Sequence, residues 1–173
     1  GLIELNPGYQ RNRVWKDNRR KSLLIESLML RIPIPAFYFY ENEDGEYQVI
    51  DGQQRLTTIF LILNALDVKC SNRLTYKARK KANRTIAALN GEGENSDDKD
   101  YGILRGATCA EESLKEIVSP AQREAFKNYF QSYVRIIHYQ VPRDIDLNHY
   151  FEIMNSRGEQ LEMSEIIKAR LME

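Results

Sequence analysis

Tyr47-Gln48-Val49-Ile50-Asp51-Gly52-Gln53-Gln54-Arg55-Leu56-Thr57-Thr58-Ile59-Phe60-Leu61-Ile62-Leu63 is the stretch whose reading decides the fold. Its first five residues are led by the aromatic Tyr47 and the β-branched Val49 and Ile50, as suits a strand. Asp51-Gly52 is a turn dipeptide. Beyond it Leu56, Ile59, Phe60, Leu63 and Leu66 recur at helical spacing, and Leu61 and Ile62 widen the stripe into a nearly all-apolar helix that belongs in a core. A strand running directly into a buried helix leaves the first-turn N–H groups pointing outward at the sheet's edge, which is where an anion binds. Gly52 allows close approach to the backbone, and Arg55 offers a planar fork matched to phosphate oxygens. Gln53 and Gln54 supply donors, Thr57 and Thr58 add hydroxyls one turn on, and Asp51 is the candidate to hold a divalent cation or orient a water. The competing reading is a common Asp-Gly turn followed by a solvated arginine.

Upstream, residues 36–40 and 47–51 flank Glu41-Asn42-Glu43-Asp44-Gly45-Glu46 and predict an antiparallel hairpin. Ile32-Pro33-Ile34-Pro35 turns the chain into it. A helix with Leu24 and Leu28 on its apolar face is expected before Pro33, capped by Asp17. Leu2-Ile3-Glu4-Leu5 alternates as a short strand closed by the Asn6-Pro7-Gly8 turn. Downstream, residues 74–90 read as a basic helix and 91–100 as a flexible acidic loop. Helices over 111–118 and 121–133 are split by Pro120, a strand spans 135–141, and helices over 147–155 and 164–172 are joined by Ser156-Arg157-Gly158-Glu159-Gln160-Leu161. The order is α+β, not a regular βαβ alternation.

With 173 residues, 42% of them hydrophobic, the chain can bury one ordinary core. Its 25 Lys and Arg balance 25 Asp and Glu, so no global field draws it to nucleic acid or an anionic membrane, and any such binding is local. Residues 69–84 carry seven basic residues and no acidic one, a candidate DNA-backbone contact or an ordinary solvated face that the acidic loop neutralises. Cys70 and Cys109 lie far apart without CxxC or clustered histidines, which argues against structural zinc and a disulfide framework and fits a reducing compartment. The apolar runs are shorter than the roughly 20 residues a bilayer needs. A soluble, cytoplasmic protein is expected. The ends read as cut, since the chain starts at Gly1 and stops at Ala169-Arg170-Leu171-Met172-Glu173 within a helix-like pattern. Tyr129, Phe130 and Tyr133 fall at helical spacing and read as core.

The Asp51-Gly52-Gln53-Gln54-Arg55 turn resembles the DGQQR signature of the N-terminal domain of GmrSD-type modification-dependent restriction enzymes, in the ParB/sulfiredoxin-like fold group. The similarity extends to Asn6-Pro7-Gly8-Tyr9-Gln10-Arg11 with Val14-Trp15 and to Ser22-Leu23-Leu24-Ile25-Glu26-Ser27 with Ile32-Pro33-Ile34-Pro35. It continues in Phe151-Glu152-Ile153-Met154-Asn155-Ser156-Arg157-Gly158 with Leu161 and Lys168. The resemblance implies a small mixed sheet with packed helices, divided into a DGQQR-bearing core over 1–68, a helical insert over 69–134, and a return strand with C-terminal helices over 135–173.

It also implies nucleoside triphosphate binding and divalent-metal-dependent hydrolysis, Mg²⁺ by expectation, in support of DNA restriction or anti-phage defence. Asp51, Gln53, Gln54 and Arg55 are the catalytic candidates, with Asp51 at the metal. Gln10, Arg11, Trp15, Gly52, Thr57, Thr58, Asn155, Arg157 and Lys168 are the nucleotide-binding candidates. Trp15 reads equally well as core and Lys168 as a solvated residue, while Gly158 suits a helix C-cap whatever the function. Full-length relatives carry an HNH-type nuclease domain or partner subunit. His138 and His149, the only histidines, form no such pattern. Gln53 and Gln54 stand where the sulfiredoxin branch uses a cysteine, which excludes sulfinic acid repair. The alternatives are a non-hydrolysing nucleotide sensor and a ParB-like DNA-binding module controlling a partner nuclease. An oligomer is compatible with the sequence.

Overall fold

β2 (Phe37–Glu41) and β3 (Tyr47–Asp51) form the expected antiparallel hairpin in the computed structural model, which describes residues 3–5, 18–70, 74–76, 79–92, 98–142 and 146, with 3–5 and 18–23 as backbone only. Asn42 closes the hairpin: its side-chain oxygen accepts from the Glu46 N–H at 2.8 Å, and its own N–H donates to the Glu46 carbonyl at 3.0 Å. Phe39 pairs with Val49 but Tyr38 pairs with Asp51, so Ile50 is the extra residue of a bulge. Bulges bend a strand and re-aim the residues just beyond them. Here those residues are Asp51 and the turn into the buried helix.

Three further strands complete a mixed sheet. β1 (Ile3–Leu5) runs parallel to β3 and, on its other side, parallel to β4 (Leu74–Tyr76), while β5 (His138–Gln140) runs parallel to β2. The order is β4-β1-β3-β2-β5. Five helices accompany the sheet among the described residues: α1 (Asn18–Met29), α2 (Gln53–Ala65), α3 (Lys80–Leu89), α4 (Tyr101–Ile117) and α5 (Arg123–Tyr133), the last preceded by a 3₁₀ turn at Pro120–Gln122. The α+β class read from the element order is the class observed.

One buried cluster joins Leu24, Ile25 and Leu28 of α1, Phe37 and Phe39 of β2, Val49 of β3, Ile59 to Ile62 of α2 and Leu114 of α4. The nearly all-apolar α2 lies in the middle because it has no polar face to show to water. Helix α4 packs against both α1 and α2, and β4 supplies Leu74 and Tyr76 to the same cluster. Residues 69–134 therefore share the core of the sheet-bearing segments. Helix α2 has no basic residue in its last turn, and Arg123 of α5 donates instead to the carbonyl of Ala65.

Three local readings are corrected. Residues 74–90 are not one helix: Leu74-Thr75-Tyr76 alternates buried, half-buried, buried as a strand beside β1, and α3 begins only at Lys80. Sheet pairing overrides the helical look of the basic run. The helix expected over 111–118 starts ten residues earlier, at Tyr101. Asp100, read as the last residue of the acidic loop, is its N-cap, accepting from the N–H groups of Gly102 and Ile103 at 2.8 and 3.1 Å. Tyr133 is exposed, whereas Phe130 is core and Tyr129 half-buried against it. The Asn6-Pro7-Gly8 turn, the Asp17 cap and the helices expected over 147–155 and 164–172 lie outside the described residues.

Candidate functional site at the β3 to α2 turn

Gly52 stands between β3 and α2 with φ 98° and ψ 8°, a left-handed conformation that favours glycine. Space makes the same demand. A Cβ there would lie 2.5 Å from Cδ1 and 3.1 Å from Cε1 of the buried Phe37 ring, and 3.2 Å from a terminal nitrogen of Arg55. The cap position thus has no side chain, α2 makes no side-chain cap hydrogen bond, and its first turn holds no acidic residue. A helix end of this kind carries the positive end of the dipole uncompensated by its own cap.

Arg55, one turn into α2, reaches back across the turn. Nη2 donates to Oδ2 of Asp51 at 2.8 Å and Nη1 to the carbonyl of Pro35 at 2.6 Å, and the guanidinium lies 5.0 Å from the Phe37 ring centroid. Its side chain is 14% exposed and that of Asp51 42%. The arginine is therefore a clip joining the approach to β2, the end of β3 and the start of α2, with its charge matched by the carboxylate on the solvent side. Gln53 is held inward, its Nε2 donating to the Val49 carbonyl at 2.7 Å.

Asp51, Gly52, Gln53, Gln54 and Arg55 are thus brought together on one turn. Thr57 and Thr58 are buried further along α2. Thr57 Oγ1 donates to the Gln53 carbonyl at 2.8 Å and lies 2.8 Å from the Tyr76 hydroxyl, and Thr58 Oγ1 donates to the Gln54 carbonyl at 2.9 Å. Both hydroxyls fix the helix start from inside. Gln10, Arg11, Trp15, Asn155, Arg157, Lys168 and His149 lie outside the described residues. His138 sits on β5 with its ring edge-on to Phe39 at 5.5 Å. The partners that reading by residue type missed are the Pro35 carbonyl, the Phe37 ring and the Tyr76 hydroxyl. The first is a backbone atom, which no residue type announces.

Among the described residues, no group of three His, Cys, Asp or Glu side chains gathers to form a protein metal cage. The half-exposed Asp51 carboxylate fits a different mode, in which Mg²⁺ takes one or two carboxylates and the rest of its shell from substrate phosphates and water.

The basic run is partly neutralised from within. Asp98 bridges Lys81 at 2.6 Å and Arg84 at 2.9 Å, and the hydrogen bond from Lys81, with the charges of both cations, holds its carboxyl below the usual range. Arg79 lies over the Tyr76 ring. At Cys70, burial pushes the thiol up.

Fold and turn together define a mixed α+β domain with an arginine-clipped, uncapped helix start at the end of a strand. The chain belongs to the family described as GmrSD restriction endonuclease, N-terminal domain, whose model matches residues 2–172. No curated protein matches the sequence. Family membership makes the chain a module of DNA-acting restriction proteins. No helix among the described residues is long and apolar enough to cross a membrane.

Proposed function

We propose that the domain binds a nucleoside triphosphate at the β3 to α2 turn and hydrolyses it with a divalent cation, in support of restriction by the protein that contains it. The observation that carries this reading is the Asp51–Arg55 pair at an uncapped helix start. In the free protein a carboxylate occupies the outer edge of the guanidinium fork, the edge a phosphate would use. A triphosphate, with more charge and more oxygens, displaces the Asp51 carboxylate, and the helix dipole adds to the attraction. The exchange leaves Arg55 on phosphate and frees Asp51 toward water.

Hydrolysis then needs water to attack the terminal phosphorus, with a proton leaving the water as the diphosphate departs. Asp51 is the group at the turn able to orient that water or accept its proton, because glutamine is a poor base. Gln53, bonded to the Val49 carbonyl, keeps the turn in shape, and Gln54 is assigned to orient the attacked group. A Mg²⁺ ion arriving with the nucleotide would supply charge neutralisation on the phosphates, with Asp51 as its protein ligand. The engagement of Asp51 by Arg55 in the free protein also favours a second reading, a nucleotide sensor whose slow or absent turnover reports occupancy to a partner nuclease.

Calorimetric titration with the four ribonucleoside triphosphates, with and without Mg²⁺ and alongside a phosphate-release assay, tests both. Binding with release is expected, and Arg55→Ala should abolish binding while circular dichroism stays that of a folded chain, the loss of the bonds to Asp51 and the Pro35 carbonyl showing only as a lower urea midpoint. Binding without release selects the sensor. Duplex DNA binding that falls steeply with salt and ignores nucleotide, with no triphosphate bound, would replace both readings by a DNA-binding scaffold.

A further inference from the structure

Helix α3 begins with positive charge where a helix tolerates it least. Arg79 is its N-cap residue and makes no side-chain cap hydrogen bond, Lys80 and Lys81 open a first turn that holds no acidic residue, and Arg84 follows one turn on. All four side chains are exposed. The dipole is positive at this end, so the helix repels each cation at its start, and the cations repel one another. Local rules broken together in this way mark a functional surface more often than an accident.

The frame that carries these charges is fixed. On the half-buried side of α3, the Asn83 side chain occupies the outer edge of β4, accepting from the Tyr76 N–H at 2.7 Å and donating to the Tyr76 carbonyl at 2.9 Å. Ala82, Thr85 and Ile86 are buried, and the Thr85 hydroxyl accepts from the N–H of Asp100 at 2.8 Å, which ties the start of α4 to α3. The Arg79 guanidinium lies 5.6 Å from the Tyr76 ring centroid.

One anion is already seated on this face. Asp98 sets Oδ1 2.6 Å from Nζ of Lys81 and Oδ2 2.9 Å from Nη2 of Arg84, using two oxygens on two cations as a phosphate does. It belongs to the chain's own acidic run, residues 92–100. The carboxylate is 37% exposed between side chains that are 65% and 53% exposed, and surface pairs of this kind hold weakly.

We propose that this face of α3 contacts the phosphate backbone of duplex nucleic acid, and that Asp98 is a built-in competitor, holding Lys81 and Arg84 until phosphates displace it. A duplex carries one negative charge per ~1.7 Å of its axis, so it serves all four cations and the helix end at once. A peptide carboxylate is the poorer occupant, since Asp98 reaches two of the cations and leaves Arg79 and Lys80 to others. Neither Asp51 nor Arg55 takes part, so this contact stands apart from the triphosphate reading.

Anisotropy titration of the full chain with a labelled duplex, without nucleotide and over a series of salt concentrations, is the test. Wild-type affinity is expected to fall steeply with salt. Lys80→Gln, which breaks no ion pair among the described residues, should weaken binding and flatten the log–log salt slope by about 0.9, the loss of one phosphate contact. Lys115→Gln removes a cation from the last turn of α4, at the opposite end from its Asp100 cap, and should change neither. Asp98→Asn should tighten binding about threefold or more at low salt. Equal losses from Lys80→Gln and Lys115→Gln overturn the inference, because binding would then follow total charge. Failure of both wild type and Asp98→Asn to bind duplex at low salt overturns it as well, and binding to phosphatidylserine vesicles in its place would assign the face to a membrane. An Asp98→Asn chain that binds duplex no tighter than wild type overturns the role of Asp98 as competitor.

Discussion

At the scale of single residues, Gly52 and Asp51 make opposite predictions. Gly52→Ala demands a left-handed φ from a residue with a Cβ and drives that atom into Phe37, a ring fixed in the core. Destabilisation of at least ~1–3 kcal/mol is expected, read as a lower midpoint in urea unfolding. Asp51→Asn leaves the fold in place but empties the outer edge of the Arg55 fork of negative charge. Its expected outcome is tighter triphosphate binding in the absence of Mg²⁺, with a smaller gain on adding Mg²⁺ and less phosphate release, by titration and by turnover. Weaker binding by Asp51→Asn would show that the carboxylate helps hold the ligand and does not compete with it. A complete lack of binding in both variant and wild type would instead remove the nucleotide reading.

At the scale of elements, Asn83→Ala should open the β4 edge. It removes two hydrogen bonds to the Tyr76 backbone, and the expected loss is ~1–3 kcal/mol, with faster hydrogen exchange in β4 than in the β2–β3 hairpin. The elements that could be read from residues alone were those whose burial pattern is local. The hairpin is legible in its aromatic strands and its acidic, Gly-containing turn, and α2 in an apolar stripe too wide for any surface. β4 was hidden because its identity is set by β1, some seventy residues away, and the basic residues around it imitate a helix. The start of α4 was hidden because its cap, Asp100, closes an acidic run. At the site, the residues of the turn were legible, whereas the clip that orders them was not, since it depends on the Pro35 carbonyl and on a bulge at Ile50.

At the scale of the whole molecule, charge is arranged locally within a neutral total. Asp98 stays ionised below the pH at which an ordinary carboxylate takes up its proton, because Lys81 and Arg84 depress its folded-state pKa. The stabilisation it contributes is therefore present above the ordinary carboxylate range and is lost only as acid carries the pH down through the depressed value. Asp98→Asn should free both cations, strengthen binding to duplex DNA and steepen its dependence on salt, as measured by anisotropy titration. An unchanged salt slope would assign the basic face of α3 to solvent alone. The position of β1 sets a different kind of constraint, one of time. β1 is synthesised before both strands that flank it, yet it lies between β3 and β4, with Ile3 opposite both Tyr47 and Leu74. On a ribosome making about 5–20 residues per second, its second neighbour emerges several seconds after it. The β4 side of this sheet is thus sealed late in synthesis, and until then one edge of that short strand has no neighbour to pair with.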